Sequence, residues 1–116
     1  MKQFPASQAH WTKGRGYRKS VLLEERDLGI KGSLIQMVEF APGDKVPLHY
    51  HDRTKEVFFA LDRAIFVINS ETVTLEPNDI LVCEPGDVHG NPVIESAFRI
   101  LVIKVGFQAD DTVWMQ

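Results

Sequence analysis

Short runs of β-branched and aromatic residues, separated by turn signals, make up most of the chain. These runs predict strands at Leu34–Phe40, Val57–Leu61, Ala64–Ile68, Thr72–Leu75, Ile80–Cys83 and Phe98–Val105. Clusters of Pro, Gly, Asn and Asp lie between them, and strands at this spacing are typical of an all-β sandwich or barrel. No long segment after residue 30 has helical periodicity. The segment Ser20–Leu28 fits either a strand or a short turn of helix.

The charge is divided unevenly along the 116 residues. The formal net charge is −3, but residues 1–20 carry +5 and residues 21–116 carry −8. An acidic body argues against a nucleic-acid partner. We therefore divide the chain into a basic arm with extra strands, residues 1–30, and a barrel domain, residues 31–116. The arm is expected to pack on the barrel or on the acidic body of a dimer partner.

Other features of the composition bear on the compartment. The first residues contain no apolar run of signal-peptide length, and no segment is long and apolar enough to span a membrane. Cys83 is the only cysteine, so no disulfide forms within the chain and no cysteine-based zinc finger is present. These features predict a cytoplasmic protein without a membrane partner.

Four residues carry candidate chemistry. His49 and His51 are two positions apart, so on a strand both imidazoles point to one face. Glu56 heads an apolar strand after the polar stretch 52–55, which can bend the chain and reset its facing. His89 follows a Pro-Gly turn that can bring it back to the other strands. Taken singly, each has an ordinary explanation as a core, surface or loop residue.

Taken together and in order, these residues resemble the two motifs of the cupin superfamily. The first motif has a glycine, five residues, His-x-His, three or four residues and Glu, matched here by Gly43, His49, His51 and Glu56. The glycine that the family places seven residues after the glutamate is Arg63 in this chain.

The second cupin motif, Gly-x5-Pro-x-Gly-x2-His, is matched in part. Gly86 and His89 are in place, whereas Asn78 stands at the first glycine and Glu84 at the proline. Asparagine tolerates the left-handed backbone conformation better than most residues, so the turn can survive. The departures remove none of the four ligand types.

The resemblance implies a double-stranded β-helix of jelly-roll type that pairs into a homodimer. It also implies a metal centre near one mouth of the barrel, with His49, His51, Glu56 and His89 as ligands. Iron, manganese, nickel, zinc or copper in the divalent state would each accept three imidazoles and one carboxylate. A six-coordinate ion would keep two open positions, which a catalytic site needs.

Three functions remain open on these grounds. The first is a metalloenzyme of dioxygenase, isomerase or lyase type that acts on a small polar metabolite. The second is a binding or sensing module for a metal or a small ligand, without turnover. The third is a structural barrel without metal, which the intact ligand set argues against. The fold by itself does not choose among reactions.

A few further residues carry expectations. Cys83 is expected to be a small buried hydrophobe, with a thiol near the metal as the alternative. Arg53, Arg63 and Arg99 are expected at the surface, and Arg99 is the best of them for clamping a substrate carboxylate because its strand is otherwise apolar. The residues facing the cavity are expected to be ordinary Phe, Ile, Val and Leu.

Overall fold

The computed structural model describes residues 1–115 and confirms the predicted all-β class. Its strands, in chain order, are β1 (Thr12–Lys13), β2 (Arg18–Leu23), β3 (Leu34–Phe40), β4 (Val46–His51), β5 (Lys55–Ala60), β6 (Ala64–Ile68), β7 (Glu71–Leu75), β8 (Ile80–Cys83), β9 (His89–Asn91), β10 (Phe98–Val105) and β11 (Thr112–Trp114). Within residues 1–115, helical structure is confined to α1 (Glu25–Leu28) and a 3-10 turn at Ala6–Gln8. No helix in this range is long and apolar enough to cross a membrane.

Two antiparallel sheets face each other across the core. The six-stranded sheet has the order β1-β2-β3-β10-β5-β8, and the five-stranded sheet has the order β11-β4-β9-β6-β7. Strands that are neighbours in a sheet are mostly distant in sequence, as in a jelly roll. The predicted double-stranded β-helix is thereby confirmed. Aromatic pairs fill the space between the sheets, with ring centroids 4.6 Å apart for Phe40 and Phe98 and 5.2 Å apart for Phe58 and Phe66.

Strand β3 shows how the sequence pattern produces a sheet with one buried face. Its burial alternates strictly along Leu34–Phe40, because successive side chains on a strand point to opposite faces. Val38 and Phe40 pack into the core on the inward face. Gln36 shares that face and is buried, although its side chain is polar. A buried amide needs polar partners, and Gln36 lines a cavity between the sheets.

The basic arm is tied to the barrel of its own chain. Strand β2 pairs antiparallel with β3, so the Ser20–Leu28 segment is a strand followed by a helical turn. Glu24 and Asp27 form a capping box at the start of α1, and Gly29 ends it in the left-handed conformation. Residues 4–11 lie along the outer face of β2 and β3. The domain boundary at residue 30 stays a prediction.

Candidate metal centre and its cavity

Strand β4 places His49 and His51 on one face, as their spacing predicts. Both imidazoles are buried between the sheets. The last strand, β11, pairs with β4 so that Trp114 lies opposite His49 and Thr112 opposite His51. The Trp114 and His49 rings are 4.6 Å apart between centroids, so the terminal strand covers this side of the site.

The loop between β4 and β5 turns Glu56 inward. Asp111 fixes this loop, because its Oδ2 accepts hydrogen bonds from the backbone N–H groups of Arg53 and Thr54, each at 2.9 Å, and from the Thr54 hydroxyl at 3.0 Å. The bend resets the strand parity, as the polar stretch after His51 suggested. The Glu56 side chain is consequently buried beside the histidines.

A tight turn and a close strand contact bring His89 to the same place. Gly86 takes a φ of 88° in the turn, and Asn78 takes a φ of 74° at the first position of the second motif, in the left-handed region expected for it. Strand β9 then pairs with β4, with His89 directly opposite His49. Gly90 permits this contact, because a Cβ there would lie 2.6 Å from the Val46 carbonyl oxygen.

The four predicted residues form one buried cluster. Each of the three histidines offers a ring nitrogen, and these atoms all lie within 4.8 Å of one another. Glu56 Oε1 is 2.9 Å from His51 Nε2 and 3.1 Å from His89 Nε2. Three imidazoles at this spacing could hold a metal ion.

The outer nitrogens of the imidazoles, the Nδ1 atoms that point away from the cluster, contact oxygen atoms. His49 Nδ1 is 2.9 Å from the Pro47 carbonyl oxygen, and His89 Nδ1 is 2.9 Å from the Asp87 carbonyl oxygen. A carbonyl only accepts, so both Nδ1 atoms are donors and, in the neutral rings, both Nε2 atoms are acceptors. His51 Nδ1 is 3.1 Å from the Thr112 hydroxyl and 3.5 Å from Asp111 Oδ1. Metal-bound histidines are commonly oriented in this way.

In the neutral rings, the inner nitrogens of His49 and His89 are therefore acceptors that lie with the Glu56 carboxylate, a set that fits a bound cation or a proton. Glu56 Oε1 is buried and finds no well-oriented hydrogen bond within residues 1–115. Burial opposes ionisation of Glu56, but its contacts with His51 and His89 outweigh burial and hold its pKa well below the usual range. A site that keeps a carboxylate ionised in the interior requires positive charge beside it.

The histidines respond to burial and to their neighbours in opposite directions. Burial and the nearby His89 lower the pKa of His49 to about 4, so His49 stays neutral. Burial also acts to lower the pKa of His89, but contacts with Cys83 and Glu56 prevail and raise it to about 10. Without a metal, a proton on His89 therefore supplies positive charge to Glu56. A metal ion would supply it in the proton's place.

A cavity of about 420 Å³ opens beside the cluster. Its wall contains apolar side chains, including Phe58 and Phe66, as expected. It also contains several polar side chains that the sequence interpretation missed, namely Tyr17, Lys19, Gln36, Asn91 and Lys104. The expectation of a wholly apolar wall was therefore wrong. Strand parity could have found Lys104, since Ile100 and Val102 on the same strand also face inward.

Two of the missed residues, Tyr17 and Lys104, have pKa values that depart from their ordinary range. Burial raises the pKa of the Tyr17 hydroxyl, and the Glu56 carboxylate adds to the effect. Burial lowers the pKa of the Lys104 ammonium, while the field of Glu56 opposes that change. The pKa values of both groups therefore differ from those in water, and both groups lie in the cavity beside the histidines.

Arg99 lies at the surface, as expected, and the structure does not support its alternative role as a substrate clamp. Its position in β10 has the outward parity, and its Nε lies 3.2 Å from Glu39 Oε2 on the exterior. Cys83 is buried, as expected, and its Sγ lies 3.3 Å from His89 Nδ1. The thiol therefore contacts the outer edge of His89 and not the space among the three rings.

Comparison with known proteins places the chain in a family. The cupin domain family model matches residues 36–104, more than half of the chain, so the protein belongs to the cupin family. The match contains both motifs and all four clustered residues. No curated protein matches the sequence.

Solved structures share the whole fold at low identity. A variant of Streptomyces PAC13 with uridine has a TM-score of 0.79 at 13% identity, over 100% of this chain and 92% of that one. KdgF from a Halomonas species has a TM-score of 0.75 at 17% identity, over 95% and 97%. The DMSP lyase DddQ from Ruegeria pomeroyi DSS-3 has a TM-score of 0.76 at 20% identity, over 94% of this chain and 62% of that one.

Proposed function

We propose that this cupin is a metal-dependent enzyme acting on a small polar metabolite, with His49, His51, His89 and Glu56 as the metal ligands. The observation that carries the proposal is the set of inward-facing acceptors beside an open cavity. Three histidine nitrogens and one carboxylate oxygen lie together there, and in the metal-free protein a proton on His89 balances the carboxylate charge. Burying a carboxylate and three imidazoles together costs free energy unless each polar group has a partner, and a metal ion would be the common partner.

The ligand chemistry limits the metal to first-row divalent ions. Three nitrogens and one oxygen suit iron, manganese, nickel, copper or zinc. Such an ion would supply Lewis acidity towards a carbonyl, carboxylate or hydroxyl oxygen of the substrate. The chain's own part is to hold the His49 and His89 rings in one tautomer through the Pro47 and Asp87 carbonyl groups.

Among the reaction types compatible with a cupin, the cavity favours proton transfer. Tyr17 and Lys104 line it together with the proposed ligands, and a hydroxyl and an amine are suited to giving and taking a proton. An isomerase or lyase needs such groups, whereas an oxygenase depends less on them. Two similar structures are described as a nucleoside dehydratase and a DMSP lyase, names that agree with elimination chemistry.

Thermal unfolding of metal-free protein, with and without each of the five metals, tests the proposal. A ligand at about 100 times its Kd adds roughly 2.7 kcal/mol to the free energy of unfolding. For a domain of this size that corresponds to a Tm increase of about 10 °C. We expect such an increase for wild type and a much smaller one for Glu56→Gln.

Glu71→Gln is the matched control. Glu71 is exposed on β7, so this substitution removes the same charge away from the site. It should respond to metal as wild type does. A wild-type Tm that no metal changes would contradict the proposed metal centre.

A further inference from the structure

Two lysines reach the cavity without forming ion pairs. Lys19 on β2 and Lys104 on β10 both line it, and both are partly buried. Within residues 1–115, no carboxylate forms an ion pair with either ammonium. The Lys104 Nζ lies 4.9 Å from the centroid of the Phe107 ring. Charged groups held in a partly enclosed space without a direct ion pair are placed to form one with a ligand.

The sheet order places the lysines on either side of a buried amide. Strands β2, β3 and β10 are consecutive neighbours, and they carry Lys19, Gln36 and Lys104, respectively. All three side chains face the cavity. One wall of the cavity therefore offers two ammonium groups and an amide N–H₂, which are the donors that suit an anionic oxygen.

The net charge of the cavity wall also favours an anionic ligand. Its two lysines are balanced by Glu24 and Glu56. However, Glu24 already pairs with Arg26 at 3.3 Å, and Glu56 contacts the histidines. A divalent metal bound among neutral histidines would leave this wall with an excess of positive charge, which attracts anions.

We infer that the cavity binds a small anionic metabolite, with its carboxylate or phosphate group held by Lys104 and Lys19. The apolar remainder of such a molecule would lie against Phe58 and Phe66 on the cavity wall. The inference rests on the proposed metal centre, because the metal provides the excess of positive charge. It goes beyond that proposal in naming the ligand class and the residues that select it.

Calorimetric titration of zinc-loaded protein with matched probes tests the inference. Succinate and succinamide have nearly the same size but differ in charge, and methyl phosphate tests the phosphate form of the anion. A charge-assisted contact contributes enough that we expect succinate or methyl phosphate to bind at least about tenfold more tightly than succinamide. The tighter of the two anions identifies the anionic group.

Substitutions show whether the lysines or the metal cause the preference for an anion over succinamide. Lys104→Gln and Lys19→Gln should each weaken the binding of the preferred anion several-fold and leave succinamide unchanged, whereas Lys104→Arg should keep most of the anion affinity. Lys31→Gln is the matched control, since Lys31 is exposed outside the cavity. It should bind the anion as wild type does.

The zinc content of every sample keeps the two proposals apart. Equal affinity of zinc-loaded wild type for succinate, methyl phosphate and succinamide would overturn the inference and leave the metal centre intact. The same holds if the Lys104→Gln and Lys19→Gln variants retain zinc and bind the preferred anion like the Lys31→Gln control. A wild type that takes up no zinc or other metal would instead refute the proposed function, and with it the charge excess on which the inference rests.

Discussion

Asp111 shows how a single residue outside the motifs can organise the site. One of its carboxylate oxygens holds the loop that turns Glu56 inward, and the other lies 3.5 Å from His51 Nδ1. Groups that hold the outer nitrogen of a metal-bound histidine typically influence metal affinity by about 10- to 100-fold. We therefore assign Asp111 a positioning role towards both residues.

The substitution Asp111→Asn tests this role. The amide removes the charge facing His51 and one of the acceptors in the loop, so we expect zinc affinity to fall by about tenfold or more. Competition with a chromophoric chelator measures that affinity. Asp110→Asn is the matched control, because the neighbouring Asp110 is exposed. Equal zinc affinity in the Asp111→Asn variant and wild type would contradict the positioning role.

The same carboxylate has a predictable effect on stability. Burial acts to raise the pKa of Asp111, but hydrogen bonds from Arg53 and Thr54 prevail and lower it. A lowered pKa means that Asp111 stabilises the folded state above the ordinary carboxyl pKa of about 3.9. The contribution is lost as pH falls through the lower pKa of the folded state. The stability difference between wild type and Asp111→Asn should therefore shrink in acid.

The residue scale also shows what the sequence could and could not predict. His49, His51, Glu56 and His89 were identified because residue type, spacing and order formed a pattern within two short segments. Asp111, Tyr17 and Lys19 belong to no such pattern. They reach the site only because β2 pairs with β3 and β11 pairs with β4, and local residue spacing does not reveal such long-range pairing.

At the scale of elements, the approach of β4 and β9 sets the geometry of the centre. A side chain at Gly90 would lie 2.6 Å from the Val46 carbonyl oxygen and 3.0 Å from that of Pro47. The Pro47 carbonyl also accepts the hydrogen bond from His49. The gap between these two strands therefore fixes both the distance from His49 to His89 and the orientation of His49.

Substituting Gly90→Ala should push the strands apart. We expect a loss of about 1–3 kcal/mol in the free energy of unfolding, the usual cost of overpacking, together with weaker zinc binding. Urea unfolding and a zinc titration measure the two effects. Gly29→Ala serves as the control, because Gly29 is left-handed, does not line the cavity, and its added Cβ would meet no atom within 4 Å. The Gly29→Ala variant should lose some stability and keep its zinc affinity. A Gly90→Ala variant with unchanged zinc affinity would show that the gap between β4 and β9 does not control the metal centre.

The prediction of elements succeeded where a segment had a regular pattern, whereas six-residue β4 was not among the predicted runs and β2 was left open between strand and helix. Strands β3, β6, β8 and β10 coincide with their predicted runs, because each is a continuous apolar or alternating segment bounded by turns. The short strands β1, β9 and β11 were not predicted. Two or three residues carry no periodicity, and these strands exist because they pair with longer neighbours.

At the scale of the whole molecule, the basic arm and the sheet edges bear on association. The homodimer stays a prediction. Strand β8 is an edge of the six-stranded sheet and exposes Ile80 and Val82, and apolar edge strands tend to pair with another chain. The arm's Arg18 contacts Glu39 of the same chain at 2.9 Å, so within one chain part of its charge is already matched.

Light scattering distinguishes association through the β8 edge from association through the basic arm. We expect wild type at twice the chain mass of 13.2 kDa and Val82→Lys closer to the chain mass. Thr74→Lys adds the same charge on β7, an edge of the other sheet, and should remain dimeric. Removal of residues 1–11 would lower association only if the arm reaches the partner. A wild-type protein at the mass of one chain would contradict the predicted dimer.

X-ray absorption at the metal edge tests the central claim of a nitrogen and oxygen metal centre most directly. Protein purified without added metal, or reconstituted with zinc, would be measured in solution. We predict a first shell of nitrogen and oxygen atoms with the multiple scattering of three imidazoles, and His49→Ala should lose one of them. A protein that binds no metal, or a first shell containing sulfur from Cys83, would contradict the assignment of His49, His51, Glu56 and His89 as the ligands.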